Sequence, residues 1–195
     1  VVGVAQHLPA LFLHHGGIDV LVVVDDADAA PEVGNGPLVI GVVAHAAHRV
    51  VHVLKVWKQA VIERLEPVAA RQSVALHLTG EHAEILGVEQ LLKEMIYNLL
   101  DNAIKYNVPN GSATLSIHES GEHVILTVSD TGIGIPYAHQ PRVFERFYRV
   151  DKSHSKEVGG TGLGLSIVRH AAQYHGARLE LKSQPGKGTT ITVTF

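Results

Sequence analysis

Four polar residues between positions 94 and 105 could hold a charged ligand together. Glu94, Asn98, Asn102 and Lys105 follow one another at intervals of four, four and three, the spacing that puts side chains on one face of an α-helix. On the same stretch Leu91, Leu92, Met95, Ile96, Leu99, Leu100, Ala103 and Ile104 recur at three- and four-residue intervals. They predict the core-facing stripe of a helix within Gln90–Asn107. A polar ridge of this kind is most often solvated surface. Asparagine, however, is a mediocre helix former, and its neutral amide oxygen suits a hard divalent cation that also carries phosphates. Spacing alone leaves both alternatives open.

Two glycine-bearing strings could contribute to the same chemistry. Asp130–Pro136, "DTGIGIP", directly follows a predicted strand. Its glycines let backbone approach a ligand closely, and an aspartate at a strand end can accept from an exocyclic amine such as that of adenine. Gly159–Leu165, "GGTGLGL", feeds a predicted helix starting near Leu163. A glycine-rich loop at a helix N-terminus offers unpaired N–H groups and a positive dipole end to phosphates. No Gly-Lys-Ser/Thr follows, so the string is not a Walker loop, and the βαβ context of a dinucleotide fold is missing.

The surrounding pattern supplies elements to position these groups. Val50–Leu54 predicts a short strand, and Val56–Arg71 a helix weakened or kinked at Pro67. Val74, Leu76 and Leu78 alternate with polar or small residues in a half-buried strand. Ala113–His118 and His123–Ser129 predict a hairpin around Gly121, and Arg178–Lys182 with Thr189–Phe195 a second around "SQPGKG". Leu163–His175 is amphipathic and closes at Gly176, a helix C-terminal signal. Helices and strands in this order predict an α+β fold. It is a two-layer sandwich with a mixed, mostly antiparallel sheet and helices on one face.

Composition narrows the function classes. Of 195 residues 46% are hydrophobic and 18% charged, as a globular core requires. The net charge of −3 is too small and of the wrong sign for a nucleic-acid binder relying on a basic field. Absence of cysteine excludes disulfides, thiolate metal sites and cysteine nucleophiles. No apolar run approaches the roughly 18–20 residues of a spanning helix, so the chain reads as soluble, or as the soluble part of a larger membrane protein. Residues 1–47 differ in composition from the rest. Asp25, Asp26 and Asp28 cluster there, a loop is predicted over 31–37, and two apolar runs, Ile18–Val24 and Leu38–Ala44, could be strands. His45, His48 and His52 share a helical spacing, which could ligate a metal but more often faces solvent.

Taken in order, the strings resemble the catalytic, ATP-binding domain of sensor histidine kinases, within the wider group that includes gyrase, MutL-type repair proteins and the large heat-shock ATPase. "EMIYNLLDNAIKYN" is similar to the asparagine box, "DTGIGIP" to the first glycine box and "FERFYRVD" (Phe144–Asp151) to the phenylalanine box. "GGTGLGL" is similar to the second glycine box and "GKGTTITV" to the terminal one. The phenylalanine box favours histidine kinases over the other relatives. In its plainest reading it is a short helix with Phe144, Phe147 and Tyr148 in the core, which would pin a mobile lid, residues 137–162, over bound nucleotide. The string "RVDKSHSKEVGGTGLGLSIV" looks most like kinases of the phosphate- or envelope-sensing type.

The resemblance covers roughly residues 88–195, with a weaker match back to about 50, and divides the chain into an unassigned segment 1–47 and an ATP-binding domain 48–195. It implies ATP and Mg²⁺ as ligands. Asn98 would ligate Mg²⁺ with Asn102 adjacent, Lys105 would neutralise phosphate, and Tyr106 would lie at the nucleotide rim. Asp130 would accept from the adenine amine beside Gly132, Gly134 and Ile135, and Thr189 would join it. Gly160, Thr161, Gly162, Leu163, Gly164 and Leu165 would close on the phosphates. Glu94 stands where the family has its polarising acid or base; a structural salt link is the competing view. The implied partners are a phosphoacceptor-histidine hairpin, in the same protein or a dimer partner, and a response regulator. The implied location is cytoplasmic, in a parent protein that can be anchored in the bacterial inner membrane. No histidine in this chain is followed by an acidic residue and a Thr/Ser-Pro, the family's acceptor context. A nucleotide-binding switch, or a serine kinase of the anti-sigma type, is the alternative.

Overall fold

The computed structural model describes residues 10–15, 18–23, 42–43, 49–80, 83–150 and 161–195. The chain divides into two units, Val1–His48 and Arg49–Phe195. In the first, β1 (Ala10–His15), β2 (Ile18–Val23) and β3 (Val42–Val43) form an antiparallel sheet in that order. The acidic cluster at Asp25, Asp26 and Asp28, the loop 31–37, and His45 and His48 lie outside the described residues.

The second unit runs β4 (Arg49–His52), α1 (Val53–Ala60), a π-helical turn (Val61–Leu65), α2 (Glu66–Arg71), β5 (Ala75–Gly80), β6 (Glu84–Gly87) and α3 (Glu89–Lys105). It continues through β7 (Ser112–Ser120), β8 (His123–Asp130), α4 (Gly164–Tyr174), β9 (Arg178–Gln184) and β10 (Gly188–Thr194). The main sheet has the order β5-β7-β8-β10-β9. Only β5 and β7 pair parallel; the other neighbours are antiparallel. β4 and β6 form a separate antiparallel pair. No described helix is long and apolar enough to cross a membrane.

Alternation along the strands decides which face is covered. Ala113, Leu115 and Ile117 on β7, Leu126 and Val128 on β8, and Ile191 and Val193 on β10 are buried. The register sets Val128 beside both Leu115 and Ile191, so these side chains make one continuous inner face. Onto it packs the α3 stripe of Leu92, Met95, Ile96, Leu99, Leu100, Ala103 and Ile104, all buried. Leu91, expected in the same stripe, is half-buried at its edge. Each fully buried aliphatic side chain of this kind contributes about 1.5–3 kcal/mol. Val168, Ala171 and Ala172 of α4 complete the layer. The result is the α+β sandwich with a mixed sheet that the sequence pattern predicts.

Three local expectations are corrected. The strand predicted at Val50–Leu54 ends at His52, where the first helix begins at Val53; His52 therefore lies on a strand rather than a helical face. The single helix expected over Val56–Arg71 is two helices joined by the π turn, in which Glu66 N–H reaches back to Val61 O. Pro67 has no N–H to donate and its ring crowds the carbonyl four residues earlier, so the backbone widens just before it. The phenylalanine box is not a helix. Gln140–Arg142 form one 3₁₀ turn, and Phe147 has φ +64° and is 71% exposed rather than in the core. Its N–H is donated to Gly162 O at 2.9 Å, a long-range bond that a helical Phe147 would forgo.

α3 and α4 are also joined end to end. At the C-terminus of α4, Gly176 has φ +65°, its N–H bonds Gln173 O, and Ala177 N–H bonds Ala172 O, which is a Schellman closure. His175 within this closure donates from Nδ1 to Ala171 O at 2.7 Å and accepts at Nε2 from Val88 N–H at 3.0 Å. A carbonyl can only accept and an amide N–H only donate, so the imidazole is the neutral Nδ1–H tautomer. Val88 is the N-cap of α3 and has no side-chain cap of its own. Replacing His175 with Ala strands that N–H. The expected cost is about 1–3 kcal/mol, read as a lower urea midpoint with an unchanged m-value; an unchanged midpoint would rule out this role.

Candidate functional site

The polar ridge of α3 and the start of α4 meet. Asn98 donates from Nδ2 to Glu94 O at 2.7 Å, which folds the amide against its own helix and leaves Oδ1 uncommitted there. A Cβ on Gly164 would lie 3.0 Å from Asn98 Oδ1 and 3.5 Å from Asn102 Nδ2. The first residue of α4 thus sits against both asparagines, and glycine is what allows that approach. α4 has no side-chain N-cap. Its first-turn N–H groups therefore lack the partner that Ser, Thr, Asp or Asn would supply. An amide oxygen suited to a cation and helix-start N–H groups without a side-chain cap, suited to phosphate, stand side by side.

The other ridge residues differ in how free they are. Glu94 accepts from Gln90 Nε2 at 3.0 Å and makes no ion pair among the described residues. Lys105 is ion-paired to Asp101 at 2.6 Å, one turn earlier. Side-chain exposures of 29% and 15% leave the ammonium partly accessible to solvent. Tyr106 ends α3 with its side chain exposed, and its carbonyl accepts from Ile133 N–H at 3.0 Å.

Asp130 ends β8 half-buried. Its Oδ1 accepts from Gly132 N–H at 2.8 Å and Thr189 N–H at 3.2 Å. Burial pushes its carboxyl pKa up, and those two backbone bonds offset the rise only in part. Gly132 is buried against the Tyr106 carbonyl, and Gly134 passes beneath Gln184. Ile135 N–H bonds Ser183 Oγ at 2.8 Å. An open recess of about 340 Å³ reaches both Asp130 and Thr189, with Tyr137, Lys182 and Lys187 on its walls. That volume lies in the range of small-molecule sites.

Around the second glycine box, Gly162 (φ +72°) accepts the Phe147 N–H, Leu163 is the N-cap of α4, and Leu165 is half-buried against the core. Thr161 is exposed. Gly160 lies outside the described residues, as does the rest of 151–160. The phenylalanine box is held in turns by side chains: the Arg142 guanidinium lies 4.4 Å from the centre of the Tyr148 ring and pairs with Glu145 at 3.0 Å, while His139 Nδ1 bonds Tyr148 Oη.

The structure adds residues that the sequence pattern did not single out. Asn107 donates from Nδ2 to Ala103 O (2.8 Å) and Ser112 O (2.9 Å) and accepts from Val108 N–H (2.9 Å). It ties the end of α3 to β7 beside the first glycine box. Ser183 and Gln140 tie that box to the last hairpin. One signal was available for Ser183: it is a polar residue in the inward register of β9, after Leu179 and Leu181.

The family model for Histidine kinase-, DNA gyrase B-, and HSP90-like ATPase matches residues 87–195. Sensor histidine kinase YkoH of Bacillus subtilis is 41% identical over 137 residues, which are 70% of this chain and 30% of that protein. Sensor-like histidine kinase SenX3 of Mycolicibacterium smegmatis is 50% identical over 112 residues, 57% of this chain and 29% of that protein. This chain therefore spans about a third of the length of these relatives. Among solved structures, the mycobacterial sensor histidine kinase MprB superposes with a TM-score of 0.64 at 30% identity, covering 76% of this chain and 96% of that one. The chain belongs to the histidine kinase-, DNA gyrase B- and HSP90-like ATPase family, and its domain is the catalytic ATP-binding domain of the sensor-histidine-kinase type.

Proposed function

We propose that this chain is the part of a two-component sensor histidine kinase that binds ATP with Mg²⁺ and transfers the γ-phosphoryl group to a histidine on a separate helical hairpin, from which a response regulator takes it. The observation that carries the proposal is the juncture of Asn98 and Asn102 with the uncapped start of α4. Asn98 Oδ1 would hold Mg²⁺, with Asn102 beside it. When bound, the ion would neutralise charge on the phosphate oxygens. The first-turn N–H groups of α4 would take the phosphates, joined by Lys105 once it leaves Asp101. Asp130 would accept from the adenine amine.

In the transfer, an imidazole nitrogen attacks the γ-phosphorus, the bond to the β,γ-bridging oxygen breaks, and ADP leaves. Phosphoryl transfer asks the protein mainly for positioning and charge stabilisation. Glu94, one turn from Asn98 and held by Gln90, would orient the imidazole and receive its proton. Phe147, 71% exposed on a backbone anchored to Gly162, offers an apolar contact for the hairpin. As proposals, the phosphate- or envelope-sensing subtype and the cytoplasmic location rest on the sequence resemblance alone.

Incubation of the chain with γ-labelled ATP, Mg²⁺ and a histidine-kinase hairpin tests the reaction. Acid-labile, base-stable label on the hairpin is expected. Acid-stable label would point instead to a serine kinase, and tight ATP binding without label to a switch. Asn98→Ala should weaken Mg²⁺-dependent ATP binding by roughly tenfold or more, the worth of one charge-assisted contact; an unchanged ATP affinity would remove Asn98 from the site.

Asp130→Asn separates binding from stability. Asn can accept the same two backbone N–H groups but presents no charge, so ATP affinity should fall about 10- to 100-fold. A carboxyl whose pKa is raised by folding adds stability below its unfolded pKa, and loses that contribution as pH rises through the folded value. The variant should therefore melt at least as high as the parent at neutral pH, with the difference closing as pH falls through the Asp130 titration. A parent that melts clearly higher at neutral pH would contradict the assigned cause of the shift.

A further inference from the structure

We infer that Ser183 sets the hydrogen-bonding sense of the base pocket: it obliges the Thr189 hydroxyl to present only acceptor lone pairs, so that the site selects a purine carrying an amine at C6 over one carrying a carbonyl there. This inference rests on the proposal that Asp130 and Thr189 face the base of ATP.

Ser183 lies directly across from Thr189 in the β9–β10 ladder. Its Oγ has three neighbours: Ile135 N–H at 2.8 Å, Gly188 O at 3.0 Å and Thr189 Oγ1 at 2.9 Å. A hydroxyl has one proton and two lone pairs. Gly188 O can only accept, so it takes the Ser183 proton. Ile135 N–H can only donate, so it occupies one lone pair. The remaining lone pair faces Thr189, which must donate to it. With its proton committed, Thr189 Oγ1 has only lone pairs to show a ligand.

The neighbouring group has the same polarity. Asp130 Oδ1 is engaged by Gly132 N–H and Thr189 N–H, and an ionised carboxylate accepts only. Asp130 and Thr189 line one recess, so its polar wall there is made of acceptors. An exocyclic amine meets that wall as a donor. A carbonyl oxygen would set acceptor against acceptor and leave both without a donor, which is costly. Gln140 keeps the arrangement from rotating: its Nε2 donates to both Ile135 O at 2.8 Å and Ser183 O at 2.9 Å. Ser183 is thus a positioning residue that acts through Thr189.

The test compares dissociation constants for ATP and inosine triphosphate, each with Mg²⁺, on the full chain and its variants. The unaltered chain should prefer ATP. Ser183→Ala should lower that preference about tenfold, the worth of one hydrogen bond, whereas Ser183→Thr should keep it. Thr189→Val should lower it and Thr189→Ser keep it, a pair that reads the same hydroxyl without altering Ser183. Combining Ser183→Ala with Thr189→Val should lower the preference no further than Thr189→Val alone. Equal weakening of both nucleotides by Ser183→Ala, with the ratio intact, would overturn the inference while leaving the ATP site standing, because Ser183 would then only anchor Ile135. Multiplied losses in the double variant would overturn it too. Failure of the unaltered chain to bind ATP would overturn the proposed function and this inference with it.

Discussion

One helix has to satisfy two unlike surroundings, and most of the domain follows from that constraint. α3 buries Leu92, Met95, Ile96, Leu99, Leu100, Ala103 and Ile104 against the sheet, which fixes its rotation about its own axis. Once the rotation is fixed, Asn98 and Asn102 can only point toward α4. The buried side of α4 is made largely of small residues, Ala171 and Ala172 with Val168, so the two helices lie close. Gly164 carries that closeness to the first turn, where an added Cβ would crowd Asn98 Oδ1 at 3.0 Å. Packing energy and ligand geometry thus come from one set of residues.

The domain places its least stable features where a nucleotide would relieve them. A helix start without a side-chain cap and a half-buried carboxylate whose pKa burial raises each raise the free energy of the empty protein. Two polar side chains that support the site are closed off instead. Asn107 uses both ends of its amide, and His175 uses both ring nitrogens. This division is expected of a binding site preorganised by a rigid surround.

What could be read from sequence was what depends on neighbours a few positions away. The α3 stripe, both main hairpins and the Gly176 closure follow from period and local turn chemistry, and the structure has them all. The ordered strings identified the family. Long-range contacts were not legible. Phe147 leaves the helical conformation for a bond to Gly162. The π turn before Pro67 is one of several ways a helix can accommodate a proline, and the pattern could not choose among them. His175 looked like one histidine among 14, yet its partner Val88 is 87 positions away. Within the site the residue types were legible, whereas the pairing of Lys105 with Asp101 and the saturation of Ser183 by Ile135, Gly188 and Thr189 needed coordinates.

Hydrogen exchange, residue by residue, with and without ATP and Mg²⁺, tests most directly whether the asparagine face of α3 and the start of α4 form one nucleotide site. Amides of Gly164–Ser166 and of Asp130–Ile135 should slow together when ATP and Mg²⁺ are both present, and much less with either alone. Protection confined to other parts of the chain, or no change at the first turn of α4, would contradict it.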